Sequence, residues 1–365
     1  MPGEQEAEKG MHMKLGMVGF PQAGKRTLLH ALTGREAGSS GGKAAGLGLA
    51  KVSDARFEHL VEMYRPRRET PLHLDFTLLP DLEEQAARNA MSLRGLEQVD
   101  VICFVARAFH EENVFHILGS VDPQRDILCF YEELQLNDML FIEKRLDRLE
   151  KERGKKNDAR KAAMERELLV RMGGHLEAGF PLLTLELDEE ERKLIGAYGL
   201  LTRKPVIVIL NVGEDLMGDA GLVACMAEGF EGQAFRWIAV SAKIEQEISA
   251  IDPEERGAFM EALHINRPAL DRLTTLCYRT LGLVSFFTVG SDEVRAWAVR
   301  QGSPAPKAAR VIHSDMARGF IRAEVMKYDD LTAAGSEQRL KVAGKIMQKG
   351  KDYVVDVSFQ GNDPL

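Results

Sequence analysis

Residues 15–34, LGMVGFPQAGKRTLLHALTG, constrain this chain more than any other stretch. An apolar run ends at a glycine, a short loop follows, and a lysine opens a segment with helical periodicity. Gly19, Gly24 and Lys25 stand at the spacing of a phosphate-binding P-loop, and Pro21 falls inside it. Such a turn converges backbone N–H groups on a phosphate, and the following helix adds the favourable end of its dipole. Glycine at 19 and 24 admits dihedrals and close approaches that a side chain blocks. Lys25 brings a compact positive charge to the β- and γ-phosphates. The next position normally carries a Ser or Thr hydroxyl that ligates Mg²⁺; here it is Arg26, which has donors and no acceptor. Thr27 comes one residue later, and a helix turns about 100° per residue, so its hydroxyl points elsewhere. Arg26 beside Lys25 instead sets two fixed cations near a β-phosphate. The same pattern also fits a strand-to-helix turn kept for packing alone.

At 365 residues the chain has room for two or three domains. Its 45% hydrophobic and 28% charged content is that of an ordinary globular protein. No apolar run approaches about 18 residues, so no membrane partner is expected. The polar start reads as a disordered extension over residues 1–12 rather than a signal sequence. Cys103, Cys129, Cys225 and Cys277 lie scattered in apolar contexts without metal spacing, as reduced core cysteines of a cytoplasmic protein. A net charge of −8 argues against a general polyanion binder, and DNA is not an expected partner. Residues 144–166 depart from that average, with ten Lys/Arg against five Asp/Glu.

Apolar runs at 73–79, 99–106, 205–210 and 235–242 read as buried parallel strands separated by helical or loop material. This alternation predicts a doubly wound α/β sheet. Between the second and third runs, Leu136, Leu140, Ile142, Leu146 and Leu149 recur at near-heptad spacing. The polar turn RGKKNDAR interrupts them, and Met164, Leu168 and Met172 follow. Two such helices predict an antiparallel coiled-coil hairpin, with its basic end either a solvated face or an RNA contact. From about residue 282, SFFTVGSDEVRAWAV reads as a β-hairpin, APKAARVIH as a helix, and GFIRAEVM and DYVVDVSF as strands. These elements describe a small α+β domain of β-grasp type.

Several stretches also carry a resemblance. EVRAW (293–297), IHSDMARGFIRAE (312–324), GKIMQKGKDYVV (344–355) and EERGAFMEAL (254–263) resemble the YchF/Obg-like ATPase family of P-loop NTPases, and the likeness runs from residue 13 to about 356. The resemblance implies a P-loop nucleotide domain over 13–125 and 200–281, a coiled-coil insertion over 126–199, and a C-terminal TGS-like β-grasp domain over 282–365. It further implies ATP binding in preference to GTP, slow hydrolysis, and association with the ribosome. Its base-reading motif, Asn-x-x-Glu, places Asn211 and Glu214 after a strong strand, with Ser241 and Ala242 in the last base-contacting loop. Val212 stands where a GTPase carries a lysine, so guanine selection is expected to be poor. Asn211 is also the kind of residue that simply caps a strand end.

The family's strand-end D-x-A-G motif is lost: DFTLLPDL puts Leu78 at its aspartate and Asp81 at its glycine. The following switch has become EEQAARNAMSL, and the upstream one SSGGKAAGLG. Losing the P-loop hydroxyl, the strand-end carboxylate and the switch glycines together leaves little to hold Mg²⁺ for phosphoryl transfer. The expected function is therefore a ribosome-associated, purine-nucleotide-binding protein, ATP favoured over GTP, with weak or absent hydrolysis and a doubtful Mg²⁺ requirement. Partners would be ribosome or rRNA, through the basic hairpin 144–166 and the C-terminal domain. Two alternatives stay open: an interaction scaffold that no longer binds nucleotide, and an active slow ATPase or GTPase. No catalytic or metal-ligating residue is assigned.

Overall fold

The computed structural model describes residues 13–34, 46–85, 88–151, 159–217, 219–263, 265 and 267–355. The expected N-terminal extension, most of the upstream switch, the charged turn at the hairpin tip and the chain after residue 355 lie outside the described residues.

The elements run β1 (Lys14–Val18), α1 (Lys25–Thr33), β2 (Gly46–Lys51), α2 (Ala55–Tyr64), β3 (Arg68–Thr70), β4 (His73–Leu78), α3 (Ala90–Glu97) and β5 (Val101–Ala108). Then follow α4 (Pro123–Lys151), α5 (Ala159–Glu177), α6 (Glu189–Leu194), β6 (Val206–Val212), α7 (Ala220–Glu228), β7 (Arg236–Val240), α8 (Ala242–Ala250), α9 (Pro253–Ala262) and α10 (Ala269–Thr280). The last stretch holds β8 (Leu283–Thr288), β9 (Glu293–Arg300), α11 (Ala305–Ile312), α12 (Ser314–Arg318), β10 (Ala323–Val325), α13 (Tyr328–Ala334), α14 (Glu337–Val342) and β11 (Met347–Lys349). No described helix is long and apolar enough to cross a membrane.

The chain divides into two units, one of Lys14–Gly48 and Asp75–Leu273, the other of Leu49–Leu74 and Thr274 onward. The first is built on a six-stranded sheet of order β2-β4-β1-β5-β6-β7. β1 pairs in parallel with β4 and β5, and β5–β6 and β6–β7 are parallel too. Every residue of β5 and β6 is buried, which is why their sequences read as unbroken apolar runs. On one face Phe104, Phe130, Leu134, Ile127 and Leu210 share a core in which Phe104 and Phe130 stack at 4.4 Å.

The helical hairpin α4–α5 is present, and two positions of its predicted seam fall outside it. Leu136 and Leu140 are exposed, at 51% and 43%. Of the other predicted positions, Ile142, Leu149, Leu168 and Met172 are buried together, joined by Leu169 and Leu176, with Leu146 packed against them. The first turns of α4 belong to the sheet core through Ile127, Phe130 and Leu134, so the insertion proper starts later than residue 126. Asp138, fully buried, marks the changeover: it accepts from Leu201 N, Thr202 N and Thr202 Oγ1 at 2.7–2.9 Å. Further out, Arg145 pairs with Glu165 at 2.5 Å, and Glu165 also accepts from Tyr198. A carboxylate on the apolar stripe breaks the heptad count, which explains why Leu136 and Leu140 fit the pattern and yet lie outside the seam.

In the other unit, β8 and β9 form the expected hairpin, α11 follows as expected, and β10 pairs with β11. One boundary is corrected. Residues 49–74, assigned by the resemblance to the nucleotide domain, group here because β3 pairs in parallel with β9 and because Phe57 and Leu60 of α2 pack with Val294, Ala296, Leu331 and Leu340. The cysteine expectation is corrected as well: Cys103 and Cys277 are buried, whereas Cys129 and Cys225 are exposed, and all four are free.

Candidate functional site

The candidate site lies at the carboxyl ends of β1, β5 and β6, where ligands collect in parallel α/β sheets. The loop between β1 and α1 is fixed by two glycines. A Cβ on Gly19, at φ 155°, would fall 2.4 Å from Val105 O, and one on Gly24, at φ 89°, would fall 2.1 Å from Asn211 Nδ2. Gln22, at φ 61°, is a non-glycine held in the left-handed region, as happens where surrounding structure over-determines a functional turn. No side chain caps α1 and its first turn carries no acid, leaving its leading N–H groups for an anion.

Asn211 is 4% exposed and bridges two loops. Its Nδ2 donates to Ala23 O at 2.9 Å, and its Oδ1 accepts from Ala242 N at 3.0 Å. The P-loop and the start of α8 are thereby tied to the end of β6. Ser241 is buried at the start of α8, and Ala242 is buried with it. A cavity of about 610 Å³ opens beside this tie, with Gly24, Thr27, Glu214, Ser241, Ala242 and Lys243 among its walls. Of the expected site residues, the structure brings Gly24, Thr27, Asn211, Glu214, Ser241 and Ala242 to this cavity; Gly19, Pro21, Lys25 and Arg26 belong to the loop itself. Arg26 is exposed, whereas Lys25 is buried.

Lys25 is 4% exposed and its ammonium has three acceptors: Gly19 O at 2.8 Å, Phe20 O, and Asp81 Oδ1 at 2.9 Å. Burial lowers its pKa below the ordinary 10.5, with the Asp81 carboxylate pulling the other way. In the sequence Asp81 reads only as a lost glycine; the ion pair depends on a contact across 56 positions of chain. Sequence reasoning also missed Phe109, His110 and Glu111, which line the cavity just past β5. Their position at a parallel strand's carboxyl end was the available signal. Behind them Arg107, 1% exposed and level with Asn211 in the β5–β6 register, donates Nε to Phe109 O at 3.2 Å and lies 4.6 Å from the Phe109 ring centre. Burial lowers its pKa, and Glu111 opposes the shift.

The donor set does not fit Mg²⁺, which requires hard oxygens in octahedral array. Arg26 offers no acceptor, Leu78 is apolar, and Asp81 is engaged by Lys25. Among the described residues no group of three or more His, Cys, Asp or Glu is placed to hold a metal.

A parallel sheet in this order, with a glycine loop and lysine between β1 and α1, defines a P-loop NTPase-like nucleotide fold. The family model YchF-GTPase_C, described as a protein of unknown function (DUF933), matches residues 283–358. The chain is 38% identical to the ribosome-binding ATPase YchF of Bacillus subtilis, over 94% of this chain and 97% of that one. It is 33% identical to Obg-like ATPase 1 of Oryza sativa, over 94% and 90% respectively. The solved YchF GTPase of Schizosaccharomyces pombe superposes with a TM-score of 0.81 at 29% identity, covering 94% of this chain and 96% of that one. The chain belongs to the YchF/Obg-like ATPase family.

Proposed function

We propose that this chain holds a purine nucleotide in the cleft beside its P-loop, adenine in preference to guanine, without useful hydrolysis, and that it does so in association with the ribosome. The observation that carries the reading is an intact clamp with no metal site among the described residues. Asn211 ties Ala23 to Ala242 around a nucleotide-sized cavity, while Arg26 and Leu78 stand where the Mg²⁺ ligands belong. Glu214 and Val212 line the cavity in place of the aspartate and lysine that select guanine, which supports the adenine preference. Competition of ATP and GTP against a labelled nucleotide, followed by phosphate release over hours, tests it. Equal affinity for both bases or steady Mg²⁺-dependent turnover counts against it.

The ribosome is drawn from relatives whose names carry it, and two basic surfaces support it. Lys144, Arg148, Lys151, Arg160 and Arg166 are exposed along α4 and α5. In the C-terminal unit a cleft of about 390 Å³ is walled by Lys307, Arg310, Arg318 and Ser314. Replacing Lys151, Arg153, Lys155 and Lys156 by alanine, the last three lying outside the described residues, should weaken co-sedimentation and flatten its salt dependence. A second reading, a scaffold that holds no nucleotide, draws on the Lys25–Asp81 pair, which already fills the phosphate-facing donor.

A further inference from the structure

A P-loop lysine serves a nucleoside triphosphate by pointing N–H groups at the β- and γ-phosphates. An ammonium has three such donors. In this chain Gly19 O and Phe20 O take two of them, and Asp81 Oδ1 takes the third at 2.9 Å. The carboxylate therefore sits where a phosphate oxygen would have to arrive. It is also held there. Leu82, fully buried, donates its N–H to Gly19 O at 3.2 Å. Ser92 Oγ donates to Pro80 O at 2.9 Å. Asn89, 1% exposed, accepts from Glu83 N at 2.8 Å and donates to Glu83 O and to Glu133. Both flanks of Asp81 are thus tied to the loop and to α3, and the residue itself is half exposed.

We propose that Asp81 stands in for the terminal phosphate on Lys25, making this a site for nucleoside diphosphates that disfavours the triphosphate. The inference rests on the nucleotide reading above and adds the phosphate number to it. A diphosphate can settle on the loop N–H groups and the start of α1 without displacing the carboxylate. A γ-phosphate would bring further negative charge against Asp81 in a part-buried setting, or would have to break the ion pair to reach Lys25. The same pair keeps the buried ammonium compensated while no ligand is present.

Calorimetric titration of ADP and ATP into the full chain, into Asp81→Asn and into Asp81→Gly tests this, each in chelator and in Mg²⁺. Asn keeps the shape and a hydrogen-bond acceptor for Lys25, and Gly is the residue the family motif carries, so the two guard against a fold defect in either. The wild type should bind ADP at least about tenfold tighter than ATP, a difference of about 1.4 kcal/mol. Both variants should bring that ratio to within about threefold by tightening ATP, with ADP little changed. An unchanged ratio in both variants overturns the proposal, as does equal affinity in the wild type. ATP binding that requires Mg²⁺ and is lost in Asp81→Asn assigns the carboxylate to the cation and overturns it too. Binding of neither nucleotide by any of the three proteins overturns the nucleotide reading itself, a result distinct from the others.

Discussion

At one end of the cleft Asn211 commits its amide to two neutral backbone partners, Ala23 O and Ala242 N, and is 4% exposed. At the other end Lys25 holds a carboxylate that is half exposed and belongs to a different loop. The first arrangement is architectural, because a ligand arriving at the base end need not break it. The second can be exchanged, since a phosphate could compete for the same donor. The contrast separates what this fold has kept as scaffold from what it has altered as chemistry. The glycine loop and the Asn211 tie remain, and of the positions that depart from the family's motifs Arg26 adjoins the lysine in the chain and Asp81 pairs with it.

The largest effect should come from breaking the architectural end. Asn211→Leu leaves Ala23 O and Ala242 N buried without partners, each costing about 1–3 kcal/mol, and should lower unfolding free energy by about 3 kcal/mol in denaturant titration. Gly24→Ala comes next: its Cβ would meet Asn211 Nδ2 at 2.1 Å from a backbone at φ 89°. A loss of about 2 kcal/mol is expected, and pairing it with Asn211→Ala should recover part of it, which a double-mutant cycle reads directly.

The exchangeable end should show itself through pH. Burial holds the folded-state pKa of Lys25 below 10.5. The folded chain thus releases this proton before the unfolded chain does, and the contribution of Lys25 to stability rises with pH across the interval up to 10.5. Asp81 raises the Lys25 pKa, so Asp81→Asn should open that interval at a lower pH. Denaturant midpoints across alkaline pH for the wild type, Asp81→Asn and Lys25→Met check the sign; this component should be absent from the last. Arg26→Ser should do least. Arg26 is exposed, and a restored hydroxyl still lacks the strand-end carboxylate that Leu78 replaces, so nucleotide affinity should change by less than about threefold and Mg²⁺ dependence should not appear. Nucleotide titration with and without the cation measures both.

Five of the six strands of the sheet and the β8–β9 hairpin were legible because burial on both faces, or alternation on one, writes itself into local composition; β2, whose start reads as part of the glycine-rich upstream switch, was not. The glycine loop was legible for the same local reason. What escaped was non-local. The β3–β9 pairing joins residues more than 200 positions apart, so nothing near residue 68 announces that it leaves the nucleotide unit. Leu136 and Leu140 fit a heptad, yet the helix commits its other face once Asp138 is fixed on Leu201 and Thr202. Asp81 reads as a missing glycine until the fold brings it to Lys25. Phe109, His110 and Glu111 carry no motif and acquire their place only from Arg107 and the end of β5.

Equilibrium dialysis of ADP against the full-length chain, in chelator and again in Mg²⁺, tests the central claim most directly. The account predicts one nucleotide bound per chain with the same affinity in both conditions. No binding in either, or binding that appears only when Mg²⁺ is added, would contradict it.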